Sequence, residues 1–209
     1  MPKHFQNVLD KEIRAIELFE KNSVTIGSKI SDRILEIPRK RMRSQAEAFL
    51  DLKPETLSLI DIGCGSGYYS LKAKSLGIRV YSVDASSAMV LRIQDKVDEA
   101  EVSLIEALEI ERAFDRVVCQ SALAFTTNPE IAVRHLCKLV APGGRLVILC
   151  PRRSWGGLLY QLMKRFLKTP PRLFTKEWLV NLAQVEGLVL VDYAEPLPSH
   201  LAICFDRRK

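Results

Sequence analysis

The chain has 209 residues, 47% of them hydrophobic, enough for one domain with decoration and a sizeable core. Its longest apolar runs are strand-sized, which excludes a transmembrane helix, and the charged opening MPKHFQNVLDKEIRAIELFEK does not read as a signal peptide. A net charge of +6 with pI near 9.1 admits nucleic acid, an anionic membrane surface or an anionic substrate, although composition favours a mildly basic cytosolic enzyme; five scattered cysteines without Cys-x-x-Cys spacing read as reduced thiols in a cytoplasm and predict no zinc or other metal site.

Residues 1–53 read as an N-terminal helical cap. Leu9, Ile13, Ile16 and Phe19 keep helical spacing, and Ile30, Ile34 and Ile37 form a second stripe. Pro38 should break or restart the helix, and Met42, Ala46, Phe49 and Leu50 continue a third stripe that ends before Pro54. The basic cluster Arg39, Lys40, Arg41 and Arg43 reads mainly as a solvated helical face.

From Leu57 onward, strands and helices alternate. Strands are predicted near 57–62, 78–83, 102–106, 114–119, 145–150, 188–194 and 200–206, and helices near 68–76, 87–99, 129–140, 155–168 and 175–186. Such alternation specifies an α/β fold: a three-layer arrangement with a mostly parallel sheet covered by helices on both faces, in a domain spanning 54–209.

The segment LSLIDIGCGSGYYSLKAKSLGIRVYSVDA, Leu57 to Ala85, carries the chemistry. An apolar strand meets a turn with glycine at 63, 65 and 67, where missing Cβ atoms admit unusual backbone angles and a ligand. A helix N-terminus follows, then a second strand ending in Asp84, whose carboxylate can accept both hydroxyls of a ribose. A Walker loop is excluded because no Lys-Ser or Lys-Thr follows the glycines. A dinucleotide fold is disfavoured because Tyr68 stands where close helix packing wants a small residue. S-adenosylmethionine (SAM), which has no pyrophosphate to seat, is the remaining reading.

The chain here resembles the class I SAM-dependent methyltransferases. Asp61, Gly63, Gly65 and Gly67 match the acid-x-G-x-G-x-G pattern, Asp84 the ribose acid, and Glu106-Ala107 the acid-plus-small pair after strand three. FDRVVCQSAL looks like the fourth strand, LCKLVAPGGRLVIL like the helix, Pro-Gly-Gly turn and fifth strand, and FTKEWLVNLAQVEGLVLVD like the late helix and sixth strand. The resemblance implies seven strands with the last antiparallel, SAM as methyl donor and S-adenosylhomocysteine as product. It implies a cofactor site at Asp61, Gly63, Cys64, Gly65, Gly67, Tyr68, Asp84, Ala85, Glu106, Ala107 and Gln120. Asp61 would serve the donor's amino group, or else the N–H groups of its own loop. Glu106, or Glu109, would take the adenine amino group. Gln120 and Ser121 follow strand four, close to the expected methyl group or as turn caps. No catalytic base is evident; Gln120 and His200 are the candidates. Cys119 and Cys150 read as small buried hydrophobes.

The acceptor is less constrained. Cys119-Gln120-Ser121-Ala122 replaces the [DN]-P-P-[YF] motif of amino-methylating enzymes, and no Pro-Cys or Thr-Cys nucleophile occurs, which demotes nucleic acid. Segment 151–173 reads as an amphipathic insertion or lid. Trp155, Leu158, Leu159, Leu162, Met163, Phe166 and Leu167 share one helical stripe, with Lys164, Arg165 and Lys168 off it. Its ordinary reading is a helix packed on the core with a solvated basic face. Its functional readings are a cover for a small, apolar or anionic acceptor, or peripheral membrane contact through 152–172. A catalytically silent SAM-binding partner protein and an RNA methyltransferase are the alternatives to a small-molecule enzyme.

Overall fold

Short apolar runs in this chain become neighbouring strands because each can be buried on both faces only inside a sheet that helices cover. The structure, a computed structural model, describes residues 30–166 and 170–209. In chain order the elements are α1 (Ile30–Leu50), β1 (Ser58–Ile62), α2 (Tyr68–Ser75), β2 (Arg79–Asp84), α3 (Ser87–Ile93), β3 (Glu99–Val102), β4 (Phe114–Gln120), α4 (Pro129–Lys138), β5 (Val140–Pro151), α5 (Trp155–Phe166), α6 (Lys176–Val185), β6 (Leu188–Leu197) and β7 (His200–Arg207). The first stripe, at Leu9 to Phe19, lies outside the described residues.

The sheet has seven strands in the order β3-β2-β1-β4-β5-β7-β6. β7 runs antiparallel to both β5 and β6, and the other pairs are parallel. From β1 the chain winds outward to β2 and β3, then returns to place β4 on the other side of β1. The carboxyl ends of β1 and β4 therefore flank the point where winding reverses, the place where an open α/β sheet leaves a crevice.

One face of the sheet packs on α4 and α6 through Ala132, Val133, Leu136, Leu179 and Ala183. The other packs on α1 and α2: Met42, Ala46, Phe49 and Leu50 join Tyr69 and Ala73 against Leu59, Val80, Val118 and Val147. α1 is thus one of the covering layers. Two strand arginines reach its last carbonyls: Arg145 Nη1 donates to Phe49 O at 3.0 Å and Arg116 Nε to Leu50 O at 2.6 Å. These are helix-end acceptors left without intrahelical partners, and cationic donors suit the negative end of the dipole. Asp206 steadies Arg145 with both carboxylate oxygens, at 2.7 and 2.9 Å.

The structure differs from the sequence expectation at four places. α1 runs unbroken through Pro38; proline removes one backbone bond there, while the apolar contacts further along hold the helix against the sheet. α3 stops at Ile93 and passes through a 3₁₀ turn, so β3 is Glu99–Val102, and Ile105–Ala107 form a further 3₁₀ turn rather than strand. β5 begins at Val140 rather than 145, with a register shift opposite Phe114 and Arg116. Most consequentially, α5 is turned the other way. Trp155 is 75% exposed, Leu158 57%, Leu159 52%, Leu162 52% and Met163 62%. Gly156 and Gly157 are buried instead, so close to the body that a Cβ would lie 2.7 Å from Pro198 O and 1.9 Å from Arg152 O respectively.

Leu50 is fully buried where α1 meets the sheet. Leu50→Ala should cost about 2–5 kcal/mol in urea unfolding, with fluorescence and circular dichroism moving in a single transition. A cost within about 0.5 kcal/mol would mean that α1 is an appendage.

Candidate functional site

The crevice at the β1–β4 switch point is a cleft of about 170 Å³, open to solvent, lined from four strand ends. β1 contributes Ile62, Gly63 and Gly65; β2 contributes Val83, Asp84 and Ala85, with Met89 from α3; the segment after β3 contributes Ser103 to Glu106; and β4 contributes Gln120 to Ala122, with Phe125 and Thr126.

The glycine turn is pinned to the end of β2. The N–H groups of Gly63 and Cys64 both donate to Val83 O, at 2.8 and 3.0 Å, and Gly67 N–H donates to Cys64 O at 2.8 Å. Gly63 has φ +71°, and a Cβ there would stand 2.3 Å from the Ala122 Cβ, so no other residue lets the β1 and β4 turns approach this closely. Gly65 has φ +52°, and a Cβ there would meet no atom within 4 Å. Its absent side chain leaves space belonging to the cleft. Gly67 lies further back, against Ile93, at the N-cap of α2.

Asp84 closes the turn from the other side. Its Oδ2 accepts the Gly65 N–H at 2.8 Å and its Oδ1 the Ser86 N–H at 2.9 Å. Burial pushes its carboxyl above the usual range, and the N–H groups of Ser86, Gly65 and Ala85 partly offset this. The cap of α3 is Ser86, whose Oγ accepts from Met89 N–H. Asp84 is therefore not the helix cap, and its carboxylate borders the cleft.

Asp61 lies behind the glycines. It is buried, and its Oδ2 accepts from Ser70 N–H at 3.2 Å and Ser70 Oγ–H at 2.7 Å, with Ser82 Oγ 2.9 Å from Ser70 Oγ. Burial raises its carboxyl to about 6, with a contribution from the Asp84 charge. Glu106 reaches the cleft edge but turns toward α4: its Oε1 accepts from Thr127 N–H at 2.7 Å, Thr127 Oγ at 3.1 Å and Asn128 N–H at 3.2 Å. Ala107 N–H is used within the 3₁₀ turn, donating to Leu104 O.

Gln120 faces the cleft, and its Oε1 accepts from the hydroxyl of Tyr69, a buried phenol that burial keeps protonated well above neutral pH. Tyr68 does not line the cleft. Its hydroxyl donates to Glu47 of α1 and Arg43 lies 4.3 Å over its ring, which explains how a bulky residue stands at the sixth position: it packs on α1. Ser121, beside Gln120, holds φ +67°, an uncommon conformation for a residue with a side chain.

The other candidates lie elsewhere. His200, at the start of β7, is buried beneath α5 with its ring 4.9 Å from Tyr160, and burial followed by the Lys164 charge lowers it to about 4. It is neutral at pH 7 and too weak a base for general-base work there. All five cysteines are buried free thiols. Burial pushes Cys119 up to about 12 and also raises Cys64 and Cys150, so none is an activated nucleophile. The structure thus brings Gly63, Gly65, Asp84, Ala85, Glu106 and Gln120 together on one cleft, and sets Asp61, Cys64, Gly67, Tyr68 and Ala107 behind or beside it. Met89, Ile105, Phe125 and Thr126 enter without any motif to mark them.

Residues 60–148 match the family model described as Methyltransferase domain. These residues carry a methyltransferase domain. It is of the SAM-dependent kind, in agreement with the glycine and Asp84 pattern. The malonyl-[acyl-carrier protein] O-methyltransferase of Priestia megaterium is 31% identical over 99 residues, 44% of this chain and 36% of that protein. The ubiquinone biosynthesis O-methyltransferase of Xanthomonas axonopodis pv. citri is 31% identical over 112 residues, 49% of this chain and 46% of that protein. The chain spans less than half the length of these relatives. Magnesium protoporphyrin IX methyltransferase from Synechocystis PCC 6803, with S-adenosylhomocysteine bound, shares the fold: TM-score 0.69 at 16% identity, covering 86% of this chain and 88% of that one. The N-methyltransferase NodS from Bradyrhizobium japonicum WM9 aligns with TM-score 0.67 at 16% identity over 91% of this chain and 99% of that one.

The raised Asp61 sets a pH dependence for the methyltransferase domain. Folding favours its protonated form, so its contribution to stability is full below about pH 4 and is lost as the pH rises through about 6. His200, lowered in the fold, works in the opposite sense, so the wild type must be compared with Asp61→Asn. Between pH 4 and 7 the wild type should lose on the order of 2–3 kcal/mol relative to that variant in urea midpoints converted to free energy. Parallel profiles would remove Asp61 as a buried titrating acid.

Proposed function

We propose that this chain transfers the methyl group of SAM to a small acceptor that brings its own anionic oxygen nucleophile. The observation that carries the reading is the pairing of Asp84 with Gly65: both line the cleft, the carboxylate holds the Gly65 N–H, and a Cβ at Gly65 would meet no atom within 4 Å. In this reading Asp84 accepts the ribose hydroxyls, Gly63 and Gly65 border the methionine portion, and Met89, Ala85 and Ile105 form apolar walls for the adenine. Glu106 borders the adenine edge, where one oxygen already anchors the loop at Thr127. Asp61, Cys64, Gly67, Tyr68 and Ala107 act from behind the turn, by shaping it.

Bound SAM supplies a methyl group already activated on a sulfonium. The chain's own part is orientation and exclusion of water. In this reading the amide NH₂ of Gln120, whose Oε1 accepts from the Tyr69 hydroxyl, would donate to the acceptor oxygen. Among the described residues the only carboxylates lining the cleft are Asp84 and Glu106, both engaged by backbone N–H groups, and His200 lies under α5. No group is thus placed to remove a proton from a neutral hydroxyl, and this favours a carboxylate or an acidic phenol, ionised before it enters. The O-methyltransferase names of the two curated relatives agree with this choice.

Calorimetry tests the cofactor half. SAM and S-adenosylhomocysteine should both bind, and Asp84→Ala should weaken binding on the order of 10- to 100-fold through lost charge-assisted hydrogen bonds. Gly65→Ala gives an independent check. It should cost only about 1–2 kcal/mol of stability, the strain of a left-handed alanine, yet should remove most cofactor affinity because its methyl group points into the cleft. Undiminished affinity in both variants would overturn the site. Labelled-methyl transfer into a cell extract tests the acceptor: counts should enter the organic fraction as base-labile esters or as aryl ethers. Counts in RNA would overturn the small-molecule reading, and binding without any transfer would make the chain a silent SAM-binding protein.

A further inference from the structure

Helix α5 is built inside out. Its twelve residues advance about 18 Å, far short of a bilayer core, and no helix among the described residues is long and apolar enough to cross one. Around the helix axis, Trp155, Leu158, Leu159, Leu162 and Met163 share one face, and each is more than half exposed. The opposite face is the docked one. It carries the two buried glycines together with Tyr160 and Gln161, the latter donating from Nε2 to Pro171 O at 2.7 Å. The docking cannot be rotated: any side chain at 156 or 157 would run into Pro198 O or Arg152 O. The apolar stripe is therefore fixed outward by the fit of the glycines, and an exposed patch of this kind calls for an apolar counterpart.

Charge selects that counterpart. No acidic residue occurs between Cys150 and Lys176. Arg153 just before the helix, Arg165 in its last turn and Arg172 after it are all exposed. Two copies joined through this face would bring like-charged rims together, whereas a surface both apolar and anionic satisfies the stripe and the rims at once. The location fits as well. Arg172 N–H donates to Ala124 O at 2.9 Å and its guanidinium to Thr127 O at 3.3 Å, so the chain leaving α5 runs along the turn that holds Phe125 and Thr126 of the cleft.

We propose that α5 is a membrane-surface helix that seats the protein on anionic lipid with the cleft mouth beside the bilayer. Its apolar stripe enters the boundary between headgroups and acyl chains, and the arginines meet lipid phosphates. The binding itself does not depend on the methyltransferase reading. If that reading also holds, the acceptor is a lipid-dissolved molecule that passes from the bilayer into the cleft.

The test uses the full chain with vesicles of phosphatidylcholine alone and of phosphatidylcholine with phosphatidylglycerol. The wild type should sediment with the phosphatidylglycerol vesicles, at least tenfold more strongly than with phosphatidylcholine alone. Its tryptophan emission should shift to the blue on binding, and the shift should vanish in Trp155→Phe. The double variant Leu158→Glu, Leu162→Glu should lose at least tenfold in vesicle partition while keeping wild-type SAM affinity by calorimetry, which shows that it is folded. Failure to bind the anionic vesicles, or equal binding by the double variant, would overturn the proposal. So would a dimer in light scattering that the double variant abolishes, which would assign the stripe to a second copy. Vesicle binding by a wild-type chain that fails to bind SAM would overturn the proposed function and leave the lipid surface standing.

Discussion

Gly63 and Ala122 meet with no room for a side chain between them, and the site depends on that contact. The two residues belong to turns after β1 and β4, the neighbouring strands from which the chain winds in opposite directions. Because the turns touch at Gly63, the crevice is closed at its floor and open above it, where Gly65 and Asp84 stand. A methyl group at position 63 would push the β4 turn away and with it Gln120, Ser121 and Ala122, three of the residues that wall the cleft. The left-handed backbone at Ser121 belongs to the same tight corner, held by its N–H on Leu149 O at 2.7 Å.

The electrostatics of the cleft run against those of the surface. The chain is basic overall, yet Asp84 lines the cleft and Asp61 lies behind it, close enough that the Asp84 charge raises Asp61. Two desolvated carboxylates so close together are stabilised by a nearby positive charge, and in the proposed reading the sulfonium and ammonium groups of SAM would supply it. The cationic patches lie outside, at Arg153, Arg165 and Arg172. A protein divided in this way can hold a positive small molecule within while its exterior meets negative partners.

Features written into adjacent residues were legible in the sequence, and features that depend on distant contacts were not. The glycine turn and Asp84 are set within one strand–turn–helix–strand unit, so their spacing alone locates them. Glu106 is different. Its spacing puts it after β3, but its carboxylate goes to the N–H groups of Thr127 and Asn128, a tie across the sequence that no local pattern announces. Tyr68 carried a true signal, a side chain too large for a dinucleotide turn, but its partners Glu47 and Arg43 come from α1. In α5, periodicity revealed a stripe without telling which way it faces. The pair Gly156-Gly157 was the available clue, since adjacent glycines in the first turn of a helix mark the side that something approaches closely. Phe125 and Thr126 left no trace, because a 3₁₀ turn of ordinary residues becomes part of a wall only through the strand it follows.

The sealed cysteines have a practical consequence for watching this molecule work. With five native thiols buried and held in their unreactive form, maleimide and spin-label reagents find no competing target on the folded chain. A single cysteine introduced at an exposed position of α5 would accept one probe cleanly. The depth and orientation of that helix could then be followed by resonance methods in the otherwise unaltered protein.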